Sequence, residues 1–186
     1  MPIPATDIII AQTKNWINQV VIGCGFCPFA SKEMKRGSVH YEVLLHATRA
    51  SALRAVIGSM HQLDTNDDIE TSLLIIPEGF DAFDAYLELI DMAETLLAQE
   101  KYEGIYQVAS FHPEYLFAGS NTNDPANYTN RSPYPMLHFL REESVSKAVD
   151  SYPDIDEVPT RNIKFTNEKG LEYMKKLFSL SMDTGY

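Results

Sequence analysis

Apolar residues recur along this chain with two different periods, and the period in force at each point predicts the element there. Between Thr6 and Val21, the residues Ile9, Thr13, Trp16, Ile17, Val20 and Val21 follow steps of three and four, which predicts an amphipathic helix ending at Gly23. A shorter helical or irregular piece, Ala30 to Arg36, ends at Gly37. Val39, Tyr41, Val43 and Leu45 then alternate with His40, Glu42 and Leu44, the period-two pattern of a strand with one wetter face. Thr48 offers an N-cap for a helix running to about Leu63, with Leu53, Val56, Ile57 and Met60 on one side. The run from Ser72 to Ile76 is almost continuously apolar, as expected of a strand covered on both faces. Phe83, Tyr86, Leu87, Ile90, Ala93 and Leu97 carry the strongest helical period, and Gly104 to Phe111 reads as a third strand. Leu137, Leu140, Val145, Ala148 and Val149 predict a helix from about Pro133 to Asp150, and a last helix is expected from about Asn167 to Leu180.

Two strand–helix–strand units in that order predict an α/β fold, since such units join parallel strands by right-handed crossovers. The expected sheet is small and predominantly parallel, about three strands in the order 1-2-3, with Ser72 to Ile76 central. Both crossover helices then fall on one face, and the first and last helices must cover the other. Parallel sheets usually bind ligands at the carboxyl ends of their strands, which here deliver His46, Glu78 and His112. With 186 residues and no repeat or composition break, the expectation is a single α/β domain over 1–186.

Composition narrows the partners. Fifteen Lys and Arg against 26 Asp and Glu leave a net charge of −11, which repels nucleic-acid backbones and anionic membrane surfaces. The basic groupings Lys32, Lys35, Arg36 and Lys175, Lys176 are too short to reverse that, so neither nucleic acid nor membrane is an expected partner. The opening stretch lacks the basic start and apolar core of a signal peptide, and no apolar run approaches the ~20 residues of a membrane span. A cytoplasmic location is expected, and the two cysteines read as free thiols before they read as a disulfide. Oligomeric state leaves no signature.

The stretch from Ala109 to Arg141 concentrates unusual residues. After His112-Pro113 about twenty residues pass with no period, far beyond the ~4–6 of an ordinary connection, and such loops are functional or disordered. Tyr115, Leu116, Phe117, Tyr128 and Tyr134 supply apolar surface to bury, so a long ordered loop is expected after the third strand. The strings VIGCGFCPFA, ASFHPEYLFAG and NYTNRSPYPMLHFLRE together resemble a conserved, mostly bacterial family known only as a domain of unknown function. The resemblance runs over most of the chain and implies no reaction, cofactor or catalytic residue. The family pattern keeps Cys27-Pro28-Phe29, His112-Pro113 and NRSPYP but often lacks a cysteine at position 24, which counts against a mechanism needing Cys24 and Cys27 together.

Cys24-x-x-Cys27-Pro28 invites a thioredoxin-like reading, but that motif needs a strand before it and here it follows a helix. Cys27 alone is either a small buried hydrophobe or a nucleophile, and in the second case His112, held at a strand end by Pro113, is the candidate base. His112 is equally compatible with a histidine bonded to loop backbone. On the predicted helix from Pro133, the steps between Tyr134, His138 and Arg141 place all three on one side. Ser132 and Pro133 read as N-cap and first helical position, and Asn130 and Arg131 precede them as donors for a carboxylate or phosphate. No Walker or dinucleotide glycine pattern names a cofactor, and no closely spaced ligand pair assigns a metal.

The reading that follows is an enzyme or ligand-binding protein acting on a small anionic molecule. Cys27 and His112 are the candidate catalytic pair, as in a cysteine- and histidine-dependent hydrolase or transferase. Tyr128, Asn130, Arg131, His138 and Arg141 are the candidate ligand-binding residues. Its competitors are a non-catalytic structural or interaction domain with an inert Cys27, and a thiol redox or metal-binding protein.

Overall fold

A computed structural model describes residues 3–152 and 154–183. The chain opens with α1 (Thr6–Trp16), which widens without a break into a π-helical turn over Ile17–Ile22 and stops at Gly23. A side chain at Gly23 would put its Cβ 2.2 Å from the Gln19 carbonyl oxygen, so the wide turn closes only on glycine. The Cys24–Cys27 turn leads into α2 (Ala30–Arg36), which ends at Gly37 in the left-handed conformation. Next come β1 (Val39–Val43), α3 (Arg49–Thr65) and β2 (Thr71–Ile75). Thr48 and Ser51 start α3 with a reciprocal capping box. The helix α4 (Phe83–Gln99) and strand β3 (Tyr106–Phe111) follow, then the long loop with a 3₁₀ turn at Pro125–Thr129. Strand β4 (Met136–Arg141) runs directly into α5 (Glu142–Ser151), and α6 (Val158–Lys169) and α7 (Leu171–Ser181) complete the fold.

The architecture is mixed α/β. Among the described residues the sheet has four strands in the order β1-β2-β4-β3 rather than three in the order 1-2-3. β1 and β2 are parallel, while β4 lies antiparallel to both β2 and β3. The expected predominantly parallel sheet is therefore corrected. β2 is central and buried along its whole length, but its second neighbour is β4. β1, β2 and β3 still point the same way, because β3 is related to β2 through two antiparallel pairings.

The predicted helix over Pro133–Asp150 is also corrected: its first half is β4. Met136–Leu140 pairs with β2 from Ile75 to Thr71, and Met136–Arg141 pairs with β3 from Phe111 to Tyr106. Ser132 does not cap a helix; its hydroxyl donates to the Tyr134 carbonyl oxygen at 2.6 Å. Ser132 and Tyr134 each precede a proline, which pushes both toward extended backbone and feeds the chain into a strand. Tyr134, His138 and Arg141 consequently do not share a helix face. In a strand His138 and Arg141 project to opposite sides of the sheet. The predicted tail helix divides at Gly170, and α6 begins well before Asn167.

Two apolar layers flank the sheet. On one face α3 and α4 bring Val56, Met60, Leu63, Tyr86 and Leu89 against Leu74, Leu137 and Phe139. On the other, α1, its π turn and α7 bring Ile9, Trp16, Val20 and Met174 against Leu73, Ile75 and Met136. The crossover helices thus share one face and the first and last helices cover the other, as the periodicity predicts.

Candidate functional site

The long loop is ordered by its own polar residues. Asn127, fully buried, accepts from the Phe117 amide at 3.1 Å and from the Ser120 hydroxyl at 3.2 Å, and donates to the Asn121 carbonyl at 2.9 Å. Arg131 donates to the carbonyls of Tyr115 and Thr122, and its guanidinium lies 4.7 Å from the centre of the Tyr128 ring. Asn130 donates to the Ser110 carbonyl at 3.2 Å, and the Arg131 carbonyl accepts from the Trp16 indole at 2.9 Å. Tyr128, Asn130 and Arg131 therefore hold the loop to itself and to the sheet.

His112 is fully buried where β3 enters this loop, against the rings of Phe83 and Tyr86. Its Nδ1 accepts from the Glu114 amide at 3.0 Å, so the remaining ring nitrogen, Nε2, carries the proton and donates to the Phe80 carbonyl at 3.0 Å. Desolvation pushes its pKa below the ordinary histidine value, outweighing the Phe80 carbonyl and the charges of Glu114 and Asp81. No lone pair is left to take a proton. His112 packs in the layer of α3 and α4, whereas Cys27 packs with the opposite layer. The geometry separates the two residues.

Cys27 faces a cavity of about 460 Å³ beneath the other face of the sheet. Trp16, Ile17 and Val21 from α1 and its π turn form one wall, and Phe29, Ala30 and Met34 from the start of α2 form the next. Val39, Leu73, Phe111, His138 and Leu140 form the roof from the sheet, while Val145 and Ala148 of α5 close the remaining side. π turns are frequent at functional sites, and this one carries the cavity-lining residues Ile17 and Val21. The Cys27 turn is clamped from behind: Asn162 donates to the Phe26 carbonyl at 2.9 Å and Arg161 to that of Gly25 at 3.1 Å.

His138 is the polar centre of the roof. The Thr71 hydroxyl lies 2.5 Å from His138 Nε2 and 2.7 Å from the Phe139 carbonyl oxygen. A hydroxyl has one proton, and the carbonyl can only accept, so Thr71 donates to Phe139 and Nε2–H of His138 donates to Thr71. A neutral imidazole held in this tautomer keeps a lone pair on Nδ1, which enters none of the side-chain hydrogen bonds found among the described residues. Burial depresses the His138 pKa to about 4, so the ring is neutral at physiological pH.

Arg141 also borders the cavity, but its guanidinium is on the far side of the sheet. There it donates to the carbonyls of Leu63 at 2.6 Å and Ile69 at 3.0 Å, tying down the end of α3. The cavity therefore brings together Cys27, His138 and the base of Arg141 from the sequence-predicted set, and leaves out His112, Tyr128, Asn130 and Arg131. Sequence reasoning missed Thr71, the π turn and the inner edge of α5. The cavity lies toward the starts of β1 and β2, away from the carboxyl edge where His46 and Glu78 meet at 2.6 Å. With β4 antiparallel in the middle, the binding-edge rule for parallel sheets does not hold.

Both cysteines are free thiols. Burial pushes Cys24 above the ordinary thiol value, only partly offset by the Lys169 charge, which is opposite to the activated first thiol of a redox pair. Among the described residues no group of three or more His, Cys, Asp or Glu is placed to hold a metal ion, and no helix is long and apolar enough to cross a membrane.

One family model, described as a protein of unknown function (DUF1415), matches residues 8–176. The chain belongs to this family. No curated protein and no solved structure gives a significant match. The DUF1415 match spans the π turn, the Cys27 turn, all four strands and α5, so every wall of the cavity lies inside the family's extent.

Proposed function

We propose that this DUF1415 protein binds a small, largely apolar molecule in the cavity between the sheet, the π turn, α2 and α5. The observation that carries the reading is a largely apolar space of about 460 Å³ with the neutral His138 ring fixed in its roof. Ligand sites commonly enclose ~300–1,000 Å³ and combine apolar walls with a few fixed polar groups.

Binding is favoured over cysteine–histidine catalysis by magnitude. Moving the His138 pKa from 6.5 to about 4 makes protonation of the ring about 3 kcal/mol harder than for an ordinary histidine. At neutral pH such a ring is a hydrogen-bond acceptor and a poor partner for a Cys27 thiolate. His112 does not line the cavity, and its two nitrogens are both engaged elsewhere.

Fluorescence titration with the neutral apolar dye N-phenyl-1-naphthylamine tests the reading. Saturable binding is expected, with Cys27 protected from alkylation as the dye fills the site. Val145→Trp, on the half-buried side of α5, narrows the space and should weaken binding while the melting temperature holds. Absence of saturable binding, or binding indifferent to Val145→Trp, would refute it.

A further inference from the structure

The polar groups fixed in the cavity's roof accept rather than donate. His138 presents the Nδ1 lone pair, and Thr71 has no free donor because its one proton goes to Phe139. Glu33 and Glu70 add carboxylates to the lining, and one Glu70 oxygen is buried without a hydrogen-bond partner among the described residues. The nearby cations sit away from the roof. Lys32, paired with Glu33 at 3.5 Å, and Lys147, paired with Glu143 at 2.5 Å, are exposed lysines whose charges stay in solvent at the rim, and the Arg141 guanidinium holds the end of α3. An anion held against the roof would exchange water for the His138 lone pair and the Glu70 carboxylate.

The wall made by α5 is equally informative. This helix buries no residue, yet Val145 and Ala148 point to the cavity rather than into packed protein. Its main packing partner is β4, and just beyond its end Tyr152 meets the Phe29 ring edge-on at 6.0 Å across the cavity's outer side. An apolar body in the cavity would supply the contacts that the inner face of α5 otherwise lacks.

We propose that the occupant is a neutral molecule with an apolar body and a single hydrogen-bond-donating head, of the alcohol or phenol class, whose hydroxyl donates to His138 Nδ1 while its body packs beneath α5. The assignment rests on the binding reading above and departs from the anionic ligand expected from the sequence. A matched series separates the possibilities: 1-octanol, octyl methyl ether, which lacks the donor, and octanoate, which carries a charge.

Isothermal titration at pH 7.5 should give 1-octanol an affinity about tenfold above the ether, the worth of one buried hydrogen bond that would otherwise go unmade, and at least as far above octanoate. In His138→Phe the preference for octanol over the ether should fall below about threefold. Amide hydrogen exchange should slow in α5 when octanol binds, which locates the ligand. Octanoate binding as well as octanol, equal binding of octanol and ether, a preference that survives in His138→Phe, or an unchanged α5 would each overturn the assignment. The octanol-to-ether ratio in the unmodified protein decides the matter even if His138→Phe does not fold. Dye binding without an octanol preference would defeat this inference alone, whereas failure of the dye and of all three probes would defeat the binding reading as well.

Discussion

Replacing His138 with Phe should change how stability depends on pH more than it changes stability at neutral pH. In the folded protein the ring titrates at about 4, and in the unfolded chain at its ordinary 6.5. Between those values the unfolded state binds the proton and the folded state refuses it, so stability falls as pH drops below 6.5 and levels off below about 4. The full window is worth about 3 kcal/mol, and the part between pH 7.5 and pH 5.0 about 2 kcal/mol. His112 contributes with the same sign, since burial lowers its pKa too, but it is present in both proteins and cancels in the comparison. Urea unfolding of the parent and of His138→Phe at the two pH values measures the difference directly. The parent should lose about 2 kcal/mol more than the variant, or ~4–8 °C in melting temperature for a chain of this size. Parallel losses in the two proteins would mean that the folded ring takes up a proton like a solvated histidine. The neutral-acceptor description of the cavity would then be wrong.

Three further substitutions test the framework around the site. Tyr86→Phe removes a fully buried hydroxyl that donates to the Met136 carbonyl at 2.7 Å and receives the Phe111 amide at 2.9 Å; stranding both should cost about 2–4 kcal/mol in chemical denaturation. Gly23→Ala forces a methyl group against the Gln19 carbonyl at the close of the π turn, and a loss of about 1–3 kcal/mol is expected, with faster alkylation of Cys27 as its turn loosens. Arg131→Lys keeps the charge but gives up the planar contact with Tyr128 and one of two loop carbonyls; stability should drop by about 1–2 kcal/mol. Millimolar phosphate should raise the melting temperature of neither protein in that last pair, whereas a clear rise in the parent alone would restore Arg131 as an anion clamp.

The sequence by itself determined the elements whose residues repeat with one period and whose ends are chemically marked. α3 and α4 are legible because their apolar faces persist for several turns, and Thr48 closes a capping box at the start of α3. β2 is legible because only a strand covered on both sides needs so unbroken an apolar run. The ordered loop could be anticipated from its aromatics; the Asn and Asp side chains that bond its backbone show only in the fold. Cys27 and His138 were both visible as candidates, but nothing in their spacing said that they face one cavity.

Tertiary structure decided the rest, because the deciding interactions are between segments far apart in the chain. Met136–Arg141 is short enough to satisfy either period; it becomes a strand because β2 and β3 present backbone donors and acceptors on both sides of it. That insertion turns a parallel sheet into a mixed one and places His138 on the face opposite the Arg141 guanidinium. His112 and His138 were equivalent as isolated histidines. Backbone contacts consume both nitrogens of the first, while one threonine hydroxyl, held by the Phe139 carbonyl, orients the second and leaves its lone pair available. Which histidine can receive a ligand is set by where the protons of its neighbours go, and those neighbours meet only when the chain is folded.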